Sequence, residues 1–311
     1  MHRPLILVLA ADARCSVGCA VTLRSVLSRL QPDLRAQVFV ILHGVPSAHR
    51  KAIRETVSMC GQGHSLDFVS FSPSDVARLS RSRLITHTAY ATCLLDELLP
   101  KSVERCLYMD CDIVATRDMG ELWDHDLAGT TVGAVEDGHH AVLQQHQARL
   151  GLSEARYFNS GVLLVDMRLW RDRQVGRRAM DAASRIGPHL ILHDQDALNV
   201  ALEGDWVSLP PSWNTWTILP GLSSDDPINF HYMGVPKPWH ADYDRPFADL
   251  FFRELDETAF AGWRPWNPLG LGVRLARIRR RLPWIPGVLR VLRAQIQRMA
   301  MGSGRPRSEG V

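Results

Sequence analysis

The apolar positions of the chain follow two rhythms that alternate along its first half. Residues 5–11 form an unbroken apolar run of strand length. Residues 17–30 carry apolar side chains three and four apart, the spacing of a helical face, and stop before Pro32. A second strand is predicted over 37–42, closed by His43-Gly44, and Ser47 is placed to cap a helix reaching Met59. Residues 66–71 alternate as a third strand, 86–99 predict a helix ended by Pro100, and 105–109 predict the next strand. Parallel neighbours need a crossover between them, so strand–helix–strand repetition argues for a mainly parallel sheet covered by helices.

The rhythm loosens further on. Strands are predicted over 131–135 and 161–165, separated by a His- and Gln-rich helical stretch at 139–150. A helix is predicted over 171–186, then short strands at 206–211 and 228–231 among loops rich in Pro, Trp and Gly. After Glu257 the character changes: Pro265, Pro268, Pro283 and Pro286 interrupt stretches rich in Arg, Leu, Val and Trp. The expected organisation is an α/β domain over 1–257 and a basic tail over 258–311, with 303–311 disordered.

Composition and charge refine this picture. The 311 residues, 46% hydrophobic and 22% charged, suffice for a large core and exclude a disordered chain. No run approaches the roughly 18 apolar residues of a membrane span. The apolar start ends at Asp12 without a cleavage signal and reads as a strand rather than a leader. Six cysteines all lie within the first 111 residues with no Cys-x-x-Cys spacing, as expected of reduced cytoplasmic thiols. The net charge of +3 hides a division, because 258–308 holds eleven arginines and no acidic residue. Such a stretch with Trp263, Trp266 and Trp284 suits the surface of an anionic membrane. It lacks any nucleic-acid reading module, so no nucleic-acid partner is expected.

The chemistry begins at Arg105-Cys-Leu-Tyr-Met-Asp110-Cys-Asp112-Ile-Val114, where a strand-like run ends on two aspartates at i, i+2. If the strand continues, both carboxylates share a face and can hold Mg²⁺ or Mn²⁺ with positions left for phosphate oxygens. Asp-x-Asp occurs four times in the chain, and the copies at Asp124, Asp194 and Asp242 are read as caps and turns first. Four more segments carry unusual chemistry: Ala10-Ala-Asp12 at the end of the first strand; Tyr157-Phe-Asn159-Ser160-Gly161, where glycine permits close approach to a ligand; His193-Asp194-Gln195-Asp196 opening a helix; and His231-Tyr-Met-Gly234-Val-Pro-Lys237.

Taken in order, these segments resemble glycosyltransferase family 8, the retaining enzymes of the GT-A fold. They are most like its bacterial lipopolysaccharide and lipooligosaccharide galactosyl- and glucosyltransferases. The matching pieces are Ala10-Ala-Asp12, Leu107-Tyr-Met-Asp-Cys-Asp-Ile113, Leu122-Trp-Asp124, Phe158-Asn-Ser-Gly-Val162, Asp194-Gln-Asp-Ala-Leu-Asn199 and His231-Tyr-Met-Gly-Val-Pro-Lys-Pro-Trp239. The resemblance implies an α/β GT-A architecture: a Rossmann-like nucleotide-binding half merged with an acceptor-binding half around a mixed, mainly parallel sheet. It implies that Asp110, Asp112 and His231 bind Mn²⁺ or Mg²⁺ and that Asp12 contacts the uridine of a UDP-hexose. Ala10 and Cys111 belong to the same donor-binding segments. Asn159 and Ser160 would meet the sugar or ribose, Asp194 the sugar hydroxyls, and Gln195 the anomeric carbon. Gly234 and Lys237 would grip the diphosphate, and Asp137 would face the acceptor. The implied acceptor is a saccharide or lipid-linked glycan, reached from the inner face of the bacterial cytoplasmic membrane.

Two positions depart from the family pattern. Tyr90-Ala-Thr92 stands where Tyr-x-Arg is common, and Arg14 stands where Asn is frequent after the first aspartate. Two other functions compete. A haloacid-dehalogenase phosphohydrolase also places Asp-x-Asp after a strand, with Asp225-Asp226 as its acidic pair, yet no Lys lies between Lys101 and Lys237 to meet the phosphoryl group. A non-catalytic sugar-nucleotide-binding protein is the third reading. A double displacement needs a nucleophile at the anomeric carbon, and the Gln195 amide is a poor one; same-face attack is favoured, with the leaving phosphate taking the acceptor's proton, and a covalent Asp194 stays open.

Overall fold

The computed structural model describes residues 4–265 apart from 62, 73–75, 77–86, 138–145, 154–155 and 188–189. Seven strands form the main sheet in the order β3-β2-β1-β4-β7-β6-β8. They are β1 (Leu5–Asp12), β2 (Ala36–His43), β3 (Ser65–Ser70), β4 (Arg105–Met109), β6 (Val132–Glu136), β7 (Phe158–Asp166) and β8 (Trp206–Leu209). A second sheet, in the order β5-β10-β9, joins β5 (Ile113–Ala115), β10 (Asn229–His231) and β9 (Thr215–Trp216).

The apolar runs explain the centre of the large sheet. Leu5, Leu7 and Leu9 on one face of β1 and Ile6 and Val8 on the other are all buried, as in a strand covered on both sides. Each such side chain contributes about 1.5–3 kcal/mol of burial. Helix α1 (Ser16–Leu27) is buried almost all round, packed against α2 (Ser47–Met59), β5 and α9 (Ala248–Asp256).

Strand direction decides where the chemistry collects. β1 pairs in parallel with β2 on one side and β4 on the other, so the strand order reverses at the carboxyl ends of β1 and β4. β7 runs antiparallel to β4, which brings its first residues to that same edge: the amide of Asp110 donates to Gly161 O at 2.9 Å. β6 is antiparallel to β7 in turn and delivers Asp137, whose amide donates to Tyr157 O at 2.8 Å. The sheet is therefore mixed and mainly parallel.

Several elements differ from the sequence reading. Ser47 is the first helical residue of α2 and caps nothing; Pro46 takes the cap position. The helix expected over 86–99 is a 3₁₀ segment, His87–Leu94, followed by one α-turn, α3 (Leu95–Leu98). Thr92 Oγ1 donates to Ala89 O at 3.1 Å, an i−3 bond that favours the tighter winding. The helix expected over 171–186 is two, α6 (Met167–Asp172) and α7 (Val175–Ile186), separated by Gln174 at φ 51°. Asp166 caps α6 by accepting from the amides of Arg168 and Leu169. α4 (Gly120–Trp123) is a single turn, α5 is described over 146–150, and α8 (Asp194–Ala201) opens at the polar cluster.

Residues 258–265 pack on the body. Thr258 and Phe260 are buried, and the amide of Ala259 donates to Thr56 Oγ1 at 3.1 Å. The rest of the expected tail, with Trp266 and Trp284, lies outside the described residues, as does the start of the predicted 139–150 helix. Among the described residues no helix is long and apolar enough to cross a membrane.

Candidate active site and metal centre

Asp110, Asp112 and His231 converge, each offering a ligand atom within 4.8 Å of the others. The two aspartates meet through a turn rather than a continued strand: β4 ends at Met109 and β5 begins at Ile113. The small sheet brings His231 in, pairing it with Ile113, and the amide of Tyr232 donates to Asp112 O at 2.9 Å. His231 Nε2 lies 3.3 Å from Asp112 Oδ1 and 3.8 Å from Asp110 Oδ2. Two carboxylates and one imidazole are a hard-to-borderline donor set that fits Mn²⁺ or Mg²⁺.

The site is electrostatically tense. Burial, then the neighbouring charge of Asp112, pushes Asp110 up to about 6, against the pull of His231 and the Tyr108 hydroxyl. That hydroxyl donates to Asp110 Oδ1 at 3.0 Å. Burial also works against an ionised Asp112, but Lys237 and His231 outweigh it and hold this carboxyl below the usual range. Lys237 Nζ pairs directly with Asp112 Oδ2 and donates to Tyr232 O at 3.0 Å. Asp194 is raised well above the ordinary value, first by burial and then by Asp110.

Behind the metal ligands, buried amides connect the elements. His231 Nδ1 meets Asn214 Oδ1 at 2.7 Å, and Asn214 Nδ2 donates to Asn159 Oδ1 at 2.7 Å. Asn159 Nδ2 donates to Gln195 Oε1 at 3.0 Å, and Gln195 Nε2 to Asp137 Oδ2 at 3.2 Å. Ser160 Oγ donates to Asp194 Oδ2 at 3.2 Å. Asp12, at the end of β1, accepts from the Arg14 amide at 2.7 Å.

The profile of Glycosyl transferase family 8 matches residues 6–243 of this chain. The chain belongs to that family. It is therefore an enzyme, a family 8 glycosyltransferase with the GT-A fold. The galactosyltransferase LgtC, solved with donor and acceptor sugar analogues, superposes with a TM-score of 0.71 at 25% identity, over 82% of this chain and 96% of LgtC. General stress protein A of Bacillus subtilis is 28% identical over 79% of this chain and 89% of its own length. The lipopolysaccharide 1,2-glucosyltransferase of Escherichia coli is 31% identical over 46% of each chain, so this match spans less than half of that relative.

Within this family 8 site, most residues singled out from sequence are brought together, whereas Asp12 bonds locally to the Arg14 amide and Gly234 lies in the loop held by Arg245. Asp110, Asp112, His231, Lys237, Asn159, Ser160, Asp194, Gln195 and Asp137 are joined by the contacts above. Ala10 and Cys111 meet each other: Cys111 Sγ donates to Ala10 O at 3.1 Å, which packs the side chain between the two aspartates against the end of the first strand. Gly161 has a reason within the fold itself. A Cβ there would lie 2.4 Å from His231 Cε1, so the glycine makes room for a metal ligand of the chain itself. The pair Asp225-Asp226 lies in a turn of its own, with Asp226 Oδ2 accepting from the Ser223 amide at 2.7 Å, and is not part of the Asp110–Asp112–His231 cluster.

Three features escaped the sequence reading. Arg245 Nη1 donates to Met233 O at 2.7 Å and Nη2 to Val235 O, stapling both sides of Gly234, whose φ of +70° requires glycine. Asp196 accepts from His146 Nε2, Tyr157 OH and the amides of Ile191 and Leu192 at 2.5–2.8 Å, locking the turn that presents Asp194. In that turn His193 holds φ 46° and ψ −102°, with Nδ1 3.4 Å from Tyr90 OH. Asn214 follows Pro-Pro-Ser-Trp and carries no motif at all; only its neighbours in space mark it.

Proposed function

We propose that this enzyme moves a hexose, galactose or glucose, from a UDP-sugar to a saccharide of lipopolysaccharide or lipooligosaccharide core type, with retention at the anomeric carbon. The observation that carries the reading is the convergence of Asp110, Asp112, His231 and Lys237 at the reversal point of the strand order. UDP departs as a multiply charged anion. A divalent cation, when bound by the three ligands, would supply charge to offset it. Lys237 and the backbone around Gly234 would hold the diphosphate, and Asp12 would meet the uridine. Asn159 and Ser160 would face the sugar or ribose, Asp194 the sugar hydroxyls, and Asp137 the acceptor.

Same-face attack is favoured over a covalent intermediate. Gln195 Oε1 already accepts from Asn159 Nδ2 and from the Ser160 amide at 3.2 Å, which leaves a weak nucleophile weaker still. In the favoured step the bond from the anomeric carbon to phosphate oxygen breaks, the bond to the acceptor oxygen forms, and the acceptor's proton passes to the departing phosphate. Supporting relatives include the two lipopolysaccharide glycosyltransferases of Escherichia coli and Salmonella typhimurium, at 31% and 25% identity. Placement at the inner face of the membrane is part of the proposal and rests on the basic tail.

The test is UDP release from UDP-galactose and UDP-glucose with Mn²⁺, with and without acceptor. Wild type should turn over, while Asp110→Asn and Asp112→Asn should both lose transfer; Asp110→Asn should unfold at or slightly above the normal temperature, and Asp112→Asn, which leaves Lys237 without its carboxylate, below it. Full activity after complete chelation by EDTA, or near-normal activity of Asp110→Asn, would remove the metal site from the mechanism.

A further inference from the structure

We infer that Asn214 is the positioning residue that keeps the proton of His231 on Nδ1, so that Nε2 faces Asp110 and Asp112 ready to bind a cation. The inference rests on the metal-site reading above and adds to it the group that orients the imidazole.

The orientation of a buried amide is usually ambiguous, since oxygen and nitrogen are alike in shape. Here backbone donors remove the ambiguity. The amide of Gly161 donates to Asn159 Oδ1 at 3.0 Å, so that atom is the oxygen. The Asn214 atom 2.7 Å from it must then be the amide nitrogen, because two oxygens would repel. The other end of Asn214 is consequently its oxygen, and it lies 2.7 Å from His231 Nδ1. Only an N–H can make that bond. Nδ1 therefore holds its proton whether the ring is neutral or charged, and in the neutral ring the lone pair sits on Nε2. The opposite end of the chain is fixed in the same way. The Ser160 amide donates to Gln195 Oε1, so Gln195 turns its nitrogen to Asp137. Asn214, Asn159, His231, Gln195 and Asp137 are all 6% exposed or less, so water cannot replace a lost link. Metal-bound histidines are held in this way by an acceptor on the far nitrogen, and removing that acceptor weakens metal binding by about 10- to 100-fold.

The experiment uses ¹⁵N-histidine-labelled full-length protein without metal, read by long-range ¹H–¹⁵N correlation at a pH where His231 is neutral. The signals of His231 are assigned by their loss in His231→Gln. Wild type should show the Nδ1–H tautomer. Asn214→Leu, similar in size and without polar atoms, should move toward the mixture of a free imidazole and bind Mn²⁺ about 10- to 100-fold more weakly by electron paramagnetic resonance titration. Asn214→Asp keeps an acceptor toward Nδ1 and should keep the Nδ1–H tautomer, at a cost in stability because its second oxygen faces Asn159 Oδ1; if the Leu variant does not fold, Asn214→Ala, which also removes the acceptor, is read in its place with the same expected outcome. An unchanged Nδ1–H signature in Asn214→Leu, or a reversed tautomer in Asn214→Asp, would overturn the inference. Failure of wild type to bind Mn²⁺ would sink the metal reading instead, and the tautomer would still decide the role of Asn214.

Discussion

Replacing Gly161 with alanine tests the site without altering any of its polar groups. The new Cβ would sit 2.4 Å from His231 Cε1, 2.9 Å from His231 Nδ1 and 3.0 Å from Asn159 Oδ1. Non-bonded carbons rest about 3.5–4 Å apart, so the imidazole would have to retreat by about 1 Å. It has little room to do so, being 4% exposed and held by Asn214 at 2.7 Å. Overpacking of this kind costs about 1–3 kcal/mol, which lowers the unfolding temperature by several degrees. A metal ligand displaced by that distance should weaken Mn²⁺ binding by about 10- to 100-fold, the range seen when a ligand loses its support. Isothermal titration with Mn²⁺ and thermal unfolding of wild type and Gly161→Ala measure both effects. A variant with wild-type affinity and wild-type unfolding temperature would show that His231 is not wedged against β7, and the account of the Asn-Ser-Gly segment would fail.

Four other outcomes follow from the same geometry. Lys237→Ala should lose about 2–4 kcal/mol of transition-state stabilisation, roughly 30- to 1000-fold in kcat/KM, and unchanged turnover with unchanged UDP affinity would remove the residue from the site. Mn²⁺ must displace a proton from Asp110 below its pKa of about 6, so affinity should hold above that pH and fall by up to tenfold per unit beneath it; a flat profile from pH 7.5 to 5 would contradict the raised carboxyl. Gly18→Ala would bring a Cβ to 2.4 Å from both Cys111 O and the Trp239 ring, so a loss of about 1–3 kcal/mol is expected, and an unmoved denaturant midpoint would disprove the close approach of α1. The full chain should bind anionic vesicles at low salt, at about 1 kcal/mol per arginine near the surface, while a chain ending at Pro265 should stay in solution and still use short acceptors; indifference of the full chain to such vesicles would end the tail proposal.

Much of the fold was legible because its signals are local. The run 5–11 and the strand 105–109 announce themselves as apolar stretches bounded by polar residues, and the structure places β1 at Leu5–Asp12 and β4 at Arg105–Met109. The order of the motifs carried the family for the same reason: each piece is a few contiguous residues. The polar segments at Asp110, Asn159, Asp194 and His231 could be named as candidates, since strand ends and glycine-flanked polar clusters are where ligands meet backbone. Hydrophobic rhythm could also be misread where side chains compete with the backbone, as at Thr92, or where one left-handed residue, Gln174, divides a helix.

Strand direction, register and distant partners belonged to the tertiary structure. Nothing in residues 158–166 says that β7 runs against β4, yet that reversal is what carries Asn159 and Ser160 to the edge where Asp110 waits. Asn214 meets His231 across 17 positions and Asn159 across 55, separations over which no periodicity speaks. Arg245 is an ordinary arginine in sequence and a staple on the Gly234 loop only in space. The sequence by itself determined which segments would be strands, helices and polar edges, because burial and backbone preference act over a few residues. Which of those edges face one another was decided by packing, because a hydrogen bond between buried amides depends on position and angle that only the assembled sheets define.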